Sequence, residues 1–431
     1  MAIDTLGANA LASNSVTTAK VADDAITSAK VAAGAVAVAD IADGSITTAK
    51  LADNAVTTAK ITDDAVTSGK VNPAGFNLGR RNLIINGAMQ VAQRGTSATG
   101  IGTAVGYNTV DRWRFADANN PPARFTETQS TDAPDGFGYS RKFEVTTNDS
   151  SVDADEMQFT DQFIEAQNLQ LLKYGTSGAE SITLSFYVKS SVASTMGVRI
   201  NHEDGGGNYG ASYTINSVNT WERKTITVPG NTGTGINNDN GKGLRVGFAL
   251  SAGSDNTGSN STAWGNGNTF GAHTNTFVGT SSATWQITGV QLEVGDSASK
   301  FEHLSFAEEF NHCLRYFEKL ENETTAGVQQ LGTGHCNLGG GIWYGNNQVI
   351  GGFDYKVTKR VTPTIACDDN QGIKCYTGNA SRTCNDSNMF DIITVSSCRL
   401  NLGNFNSNGT QGYGTWVLLE NPHFITIDAE L

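Results

Sequence analysis

Apolar residues recur every five positions along residues 11–70, which divide into six decapeptides. Position 1 of each decapeptide is Val, Ile or Leu, and position 6 is Val or Ile. A period of five matches neither the heptad of a coiled coil nor the alternation of a β-strand. The repeat therefore predicts a stalk over 11–75, which ends where Pro73 and Gly75 break the regularity.

The fourth position of every decapeptide holds Asn, Asp or Gly, the residue types that tolerate positive φ or cap a helix. This predicts one sharp turn or cap at a fixed place in each repeat, and it leaves open whether the remainder is helical or extended. The residues concerned are Asn14, Asp24, Gly34, Gly44, Asn54 and Asp64.

A stalk of this composition is not expected to fold as a single chain. Burying each apolar side chain is worth roughly 1.5–3 kcal/mol, whereas ordering one residue costs about 1–2 kcal/mol. Each repeat of ten residues has only two regularly spaced apolar positions. Three chains around a common axis would bury the apolar line continuously, so the repeat predicts a homotrimer. The alternative is a disordered linker, against which the regular spacing argues.

Residues 80–300 show the alternation of β-strands. Apolar or β-branched residues alternate with small polar residues over 182–188, 223–228 and 285–292, and Gly- and Asn-rich stretches such as 204–208 separate such segments. Short alternating strands between loops of this kind predict an antiparallel β-sandwich. The fold class is therefore mainly β.

An amphipathic pattern follows at 304–322, where apolar residues fall at spacings of three and four. Ser305 followed by Glu308 predicts a capping box at the start of a linking helix. His312 and Cys313 lie on this helix with no catalytic partner in view, so a structural role is predicted for both.

Several segments between 80 and 320 resemble, in the same order, a module common in tail fibre proteins of phages and prophages. The resemblance implies a jelly-roll sandwich of the carbohydrate-binding-module type at 80–300. After the helix it implies a distal β-rich domain at 325–431, whose long polar loops suit display. The segments are 81–90, 93–97, Tyr107, Asp111-Arg112-Trp113, 182–189, 219–229, 287–295, 301–303, Glu308-Glu309 and 313–317.

The same resemblance implies an elongated trimeric fibre of the virion, made in the host cytoplasm, that attaches the phage to its host. Residues 1–10 are then expected at the virion-proximal end, bound to other tail proteins. The distal domains are expected to bind a host surface glycan. Two alternatives stay open, a depolymerase that cuts surface polysaccharide and a purely structural tail connector.

Sugar binding needs exposed aromatic rings beside polar side chains. Trp264 and Tyr209 lie in Gly- and Asn-rich segments with His273 nearby, and Trp343 with Tyr344 lies among glycines in the distal part. These five residues are the predicted ligand contacts. Three other tryptophans have strand-like contexts and are predicted to fill the core, namely Trp113, Trp221 and Trp285.

Composition excludes some functions. A formal net charge of −13 disfavours nucleic-acid binding, because such a surface repels phosphate. No apolar run reaches the length of about 18 residues that a spanning helix needs, so membrane insertion is not predicted. Residues 1–15 lack the basic and apolar regions of a signal peptide.

The six cysteines all lie in the last third of the chain without a CxxC pair, so buried thiols are predicted instead of a zinc site. Disulfides after release from the cell stay open. No metal or other cofactor is predicted, although Asn86, Asp111 and Glu293 offer oxygen atoms to a structural calcium. No nucleophile elbow, HExxH motif or phosphate-binding loop is present, and the carboxylates at 153–156 look like a solvated loop. A non-enzymatic binding protein is therefore predicted.

Overall fold

The structure, a computed structural model, describes residues 80–321, 335–420 and 423–431 apart from 104, 266, 268, 269 and 379, together with scattered residues of the repeat between 17 and 61. The chain divides into two units, Met1–Asn77 and Leu78–Leu431. Three predicted features lie outside the described residues: the virion-proximal end at 1–10, the turns at the fourth positions and the break at 71–75.

The described part of the repeat turns at its last four positions. The backbone N–H groups of Lys50 and Lys60 donate to the carbonyl oxygens three residues earlier, each at 2.9 Å, and Thr48–Lys50 forms one turn of 3-10 helix. The Nζ atoms of the same lysines donate to the carbonyl oxygens of Ser45 and Ala55, at 2.7 and 2.6 Å. In these two repeats the tenth-position lysine therefore satisfies the carbonyl at the fifth position.

Two antiparallel sheets form a jelly-roll sandwich, which confirms the predicted mainly β fold. Its strands are β1 Ser97–Ile101, β2 Arg114–Ala118, β3 Arg124–Ser130, β4 Ser140–Thr147, β5 Met157–Glu165, β6 Ile182–Ser190, β7 Thr195–His202, β8 Gly207–Thr214, β9 Glu222–Val228, β10 Lys242–Ala252 and β11 Thr284–Val294. The six-stranded sheet has the order β1-β3-β4-β11-β6-β9, and the five-stranded sheet has the order β2-β5-β10-β7-β8. Short 3-10 helices lie at Ala166–Leu172 and Ser254–Asn256.

The core of the sandwich lies between the two sheets. Phe248 of β10 points inward and meets Trp113 and Trp285, with ring centroids 6.2 and 6.3 Å away. Both tryptophans are fully buried, as predicted. Trp221 is only half-buried, and its indole N–H donates to Asp132 at 3.3 Å. The prediction that Trp221 fills the core is wrong, because this residue stands just before the edge strand β9, where only one side is covered.

The linking helix is shorter than predicted. Helix α1 spans Phe306–Leu314 and begins with the predicted capping box, in which Ser305 Oγ accepts the Glu308 N–H and the Glu308 carboxylate accepts the Ser305 N–H. The second half of the predicted helix, Phe317–Glu321, is instead a strand that pairs with Phe424–Asp428. Pairing with a distant strand overrides the local helical pattern. No helix in the described ranges is long and apolar enough to cross a membrane.

Among the residues that the structure describes, ten further strands form the distal domain. They are β12 Phe317–Glu321, β13 His335–Gly345, β14 Gln348–Asp354, β15 Thr364–Cys367, β16 Ile373–Thr377, β17 Ala380–Thr383, β18 Phe390–Asp391, β19 Ser397–Gly403, β20 Gly414–Glu420 and β21 Phe424–Asp428, with a 3-10 turn at Asn370–Gly372. One sheet has the order β12-β21-β15, and the other has the order β17-β16-β20-β13-β14-β19-β18. One face of the seven-stranded sheet packs into a second core that includes Trp343 and Leu419.

Candidate glycan-binding surfaces

Trp264 and Tyr209, two of the predicted ligand contacts, belong to one aromatic cluster beside β8. The loop that carries Trp264 is held to β8 by backbone hydrogen bonds between Asn208 and Gly265. The indole N–H of Trp264 donates to the Pro229 carbonyl at 2.7 Å, and its ring centroid lies 6.2 Å from that of Tyr209. Both residues are half-buried and pack against the sandwich core.

His273 anchors its loop to the sandwich. Its Nδ1 accepts the N–H of Gly197 on β7 at 3.1 Å. Burial lowers the pKa of His273 to about 4, so the imidazole is neutral at neutral pH and suited to accept this bond. The structure therefore gives His273 a local structural contact.

Trp343 and Tyr344 are neighbours on β13, so they point to opposite faces of the sheet. Trp343 is fully buried; its ring lies 4.8 Å from Phe405, and its indole N–H donates to Thr377 Oγ1 at 3.0 Å. The expectation of an accessible ring at Trp343 is wrong, because a strand brings only one of two neighbours to each face. Tyr344 is 66% exposed and stays a predicted ligand contact.

The exposed face of the seven-stranded sheet carries a groove of about 620 Å³, which we call the distal groove. Trp416 of β20 is 62% exposed and lies opposite Gly340 on one side and Tyr376 on the other. Because Gly340 has no side chain, that side of the indole is open. No charged residue lines the groove, and its lining residues are five glycines together with Ile342, Ile350, Tyr376, Thr377, Thr415 and Trp416.

Trp416 was not predicted as a contact, because residues 416–419 form an unbroken apolar run in which the sequence shows no alternation. In the structure, Thr415, Val417 and Leu419 are buried, so the residues between them point outward. The glycines that open the space beside it come from other strands, and only the register brings them there.

The oxygen atoms considered for calcium accept hydrogen bonds from the protein itself. Asn86 Oδ1 accepts a backbone N–H at 3.0 Å, Asp111 accepts the Gln93 N–H at 2.9 Å, and Glu293 accepts the Ser299 N–H at 2.8 Å. Within the described ranges, no group of three or more His, Cys, Asp or Glu side chains is arranged to hold a metal ion.

All six cysteines are free thiols. Four of them are buried, which confirms the predicted packing role for Cys313, Cys375, Cys384 and Cys398. Burial raises the pKa of Cys375 and Cys398 to about 12, so both stay protonated at neutral pH. Burial likewise raises the pKa of Cys313 on the linking helix.

No protein-family model matches the sequence, and no curated protein matches it. Solved structures with some likeness include the enzymatically active domain of tailspike protein 4 from bacteriophage CBA120, at 13% identity and a TM-score of 0.27, covering 49% of this chain and 21% of that one. Another is the family 11 carbohydrate-binding module from Clostridium thermocellum in complex with a mixed-linked tetrasaccharide, at 12% identity and a TM-score of 0.23, covering 48% of this chain and 98% of that one. The chain thus spans about a fifth of the tailspike domain. At TM-scores below 0.5, these likenesses carry no argument about function.

Proposed function

We propose that the protein is a homotrimeric tail fibre subunit of a phage virion, which attaches the virion to its host by binding surface polysaccharide without cleaving it. The phage assignment is supported by the sequence resemblance between residues 80 and 320. The binding role is supported by the distal groove, where an open tryptophan stands over glycines in an uncharged lining. A sugar ring stacks on such an aromatic plane, while its hydroxyls reach nearby polar groups.

The homotrimer is supported by the exposed apolar positions of the stalk. In the single chain, six of the large apolar residues at the first and sixth positions of the repeat are 40–55% exposed. Two further copies of the chain would cover this line of side chains. A trimer also brings three weak sugar sites together, so that binding at one raises the effective concentration at the others. The residues are Val31, Ile41, Leu51, Ile61, Ile46 and Val56.

Replacing the exposed tryptophan tests the binding role. In the intact protein, Trp416→Ala should weaken binding to an array of bacterial surface polysaccharides by about tenfold or more, because the stacking plane is lost. The matched control is Trp221→Ala, which removes a half-buried tryptophan from the sandwich and should leave binding unchanged.

Two results would contradict this assignment. If Trp416→Ala binds the polysaccharides as tightly as the unmodified protein, the distal groove is not the sugar site. A trimer that dissociates on Trp416→Ala, with binding per chain retained, makes the groove a contact between subunits. The polysaccharide is also sized after the same incubations. Shortened polysaccharide would favour the alternative that the protein is a depolymerase.

A further inference from the structure

The outer face of the five-stranded sheet, away from the core, collects side chains from several strands. Leu244 and Val246 of β10 point into the core, so Arg245 between them points outward. The register places Phe163 of β5 opposite Arg245 on one side and Asn201 of β7 opposite it on the other. Alternation along each strand therefore brings these three residues to one row of the outer face.

Three cations surround the ring of Phe163. Lys242 Nζ lies 4.1 Å from the ring centroid, and the guanidinium carbons of Arg114 and Arg245 lie 4.6 and 5.5 Å away. Each contact with the ring is favourable, but the like charges repel one another. We call Arg114, Lys242 and Arg245 the basic face.

Two carboxylates only partly neutralise the basic face. Asp161 binds Arg114 through both oxygens, at 2.9 and 2.6 Å, and Glu203 lies 3.0 Å from Arg245. Lys242 forms no ion pair with any residue that the structure describes. Burial and, after it, the nearby Arg114 lower the pKa of Lys242. Three cations and two carboxylates leave an excess of one positive charge, in a chain whose formal net charge is −13.

The carboxylate that the strand register places opposite Lys242 is already engaged elsewhere. Glu165 stands opposite Lys242 in the sheet, but its oxygens accept hydrogen bonds from Arg315 and Tyr316. Lys242 as a residue is exposed, although its Nζ atom lies against the Phe163 ring, so an anion can approach its charge from the solvent side. An anion arriving from solvent is therefore free to pair with Lys242 without displacing a carboxylate of the protein.

An acceptor without a partner lies on the same face. The Oδ1 atom of Asn201 is buried and accepts no hydrogen bond from any residue in the described ranges. Asn201 as a whole is only 9% exposed. Leaving a buried polar atom without a partner costs about 1–3 kcal/mol. A bound molecule that offers a hydroxyl group here would remove that cost.

We propose that the basic face binds the carboxylate of an acidic sugar, with Asn201 Oδ1 accepting a hydroxyl of the same sugar. The planar guanidinium of Arg245 matches a carboxylate geometrically, and Lys242 adds a mobile point charge at the rim. The inference rests on the proposed glycan binding. It adds that the glycan contains an acidic sugar, whose charge the uncharged distal groove does not recognise.

Calorimetric titration of the intact protein tests the site. The probes are oligomers of polygalacturonate and of polysialic acid, each paired with its carboxyl-reduced neutral counterpart. At low salt, at least one acidic oligomer should bind about tenfold more tightly than its neutral partner, since a charged hydrogen bond is worth about 1.5 kcal/mol or more. That preference should shrink as salt is added.

Two variants are compared, and each removes one lysine charge. Lys242→Gln acts on the five-stranded sheet and Lys224→Gln on the six-stranded sheet. Lys242→Gln should weaken binding of the acidic oligomer about fivefold or more, because it removes the cation without a partner. Lys224→Gln, on β9 of the other sheet, should leave it unchanged. Unfolding curves that match the unmodified protein show that both variants are folded.

The outcomes separate this inference from the proposed function. Equal affinity for acidic and neutral oligomers overturns the basic-face site, as does equal weakening by both lysine variants. If Trp416→Ala still loses binding to surface polysaccharide, the proposed function survives that result. If acidic oligomers bind as expected while Trp416→Ala has no effect, the basic face is supported as a sugar site and the distal groove is not.

Discussion

Two tryptophans on adjacent strands of the distal sheet have opposite environments. Trp343 is fully buried, and its ring packs so closely that a side chain on Gly409 would overlap it. Trp416 stands open on the other face. The face to which each side chain points, and not its residue type, therefore decides whether it stabilises the fold or is available to a ligand.

The two tryptophans should differ in their effect on stability. Trp343→Ala should lower the free energy of unfolding of the distal domain by about 3–5 kcal/mol, because it leaves a cavity in the core. Trp416→Ala should change it by less than about 1 kcal/mol. Urea unfolding followed by circular dichroism measures both, and equal effects would contradict the assignment of the two faces.

At the scale of elements, the repeat and the sheets differ in how far their apolar side chains are covered. Each sheet of the sandwich covers its apolar face with the other sheet. The described parts of the repeat are short turns closed by tenth-position lysines, and they leave apolar side chains at 40–55% exposure. These apolar side chains of the repeat are therefore left uncovered by the chain itself, whereas those of the sandwich are covered.

Charges introduced into the stalk test the proposed homotrimer. The double change Ile46→Asp and Val56→Asp places carboxylates on the apolar line, so it should shift the sedimenting mass from three times the 45.4 kDa chain toward one chain. The matched control, Thr47→Asp and Thr57→Asp, adds the same charges at exposed neighbouring positions and should remain trimeric. A monomeric unmodified protein, or equal dissociation by both double changes, would rule out the trimer or its apolar contact.

At the scale of the whole molecule, the end of the chain returns to the sandwich. The Glu430 carboxylate pairs with Arg112, whose guanidinium is buried and also lies 3.5 Å from the centroid of the Tyr316 ring. Arg94 lies 3.3 Å from the same carboxylate, and Tyr107 Oη donates to the Leu431 carbonyl at 3.2 Å. The distal domain is therefore bound to the sandwich by buried charge as well as by chain connection.

Removing this carboxylate should destabilise the protein strongly. Glu430→Ala leaves the buried Arg112 charge without its partner, which is expected to cost about 3–5 kcal/mol of unfolding free energy. Glu180→Ala, which breaks an exposed pair with Lys173, should cost less than about 1 kcal/mol. Parallel urea titrations measure the two costs, and a small effect of Glu430→Ala would show that Arg112 finds another partner or water.

The sequence by itself determined what depends on neighbours along the chain. The five-residue apolar period, the alternation of the strands and the capping box at Ser305 are all local patterns, and the sheets and the helix start agree with them. Local patterns fix these features because dihedral preferences, side-chain period and end hydrogen bonds act within a few residues.

Only the tertiary structure decided what depends on register between distant strands. It converted Phe317–Glu321 from predicted helix to strand, put Trp343 in the core and opened the space beside Trp416 with a glycine of another strand. It also gathered the basic face from strands that are far apart in sequence. Charges that meet across a sheet leave no trace in a single segment, because the pairing that unites them is set by the packing of the whole domain.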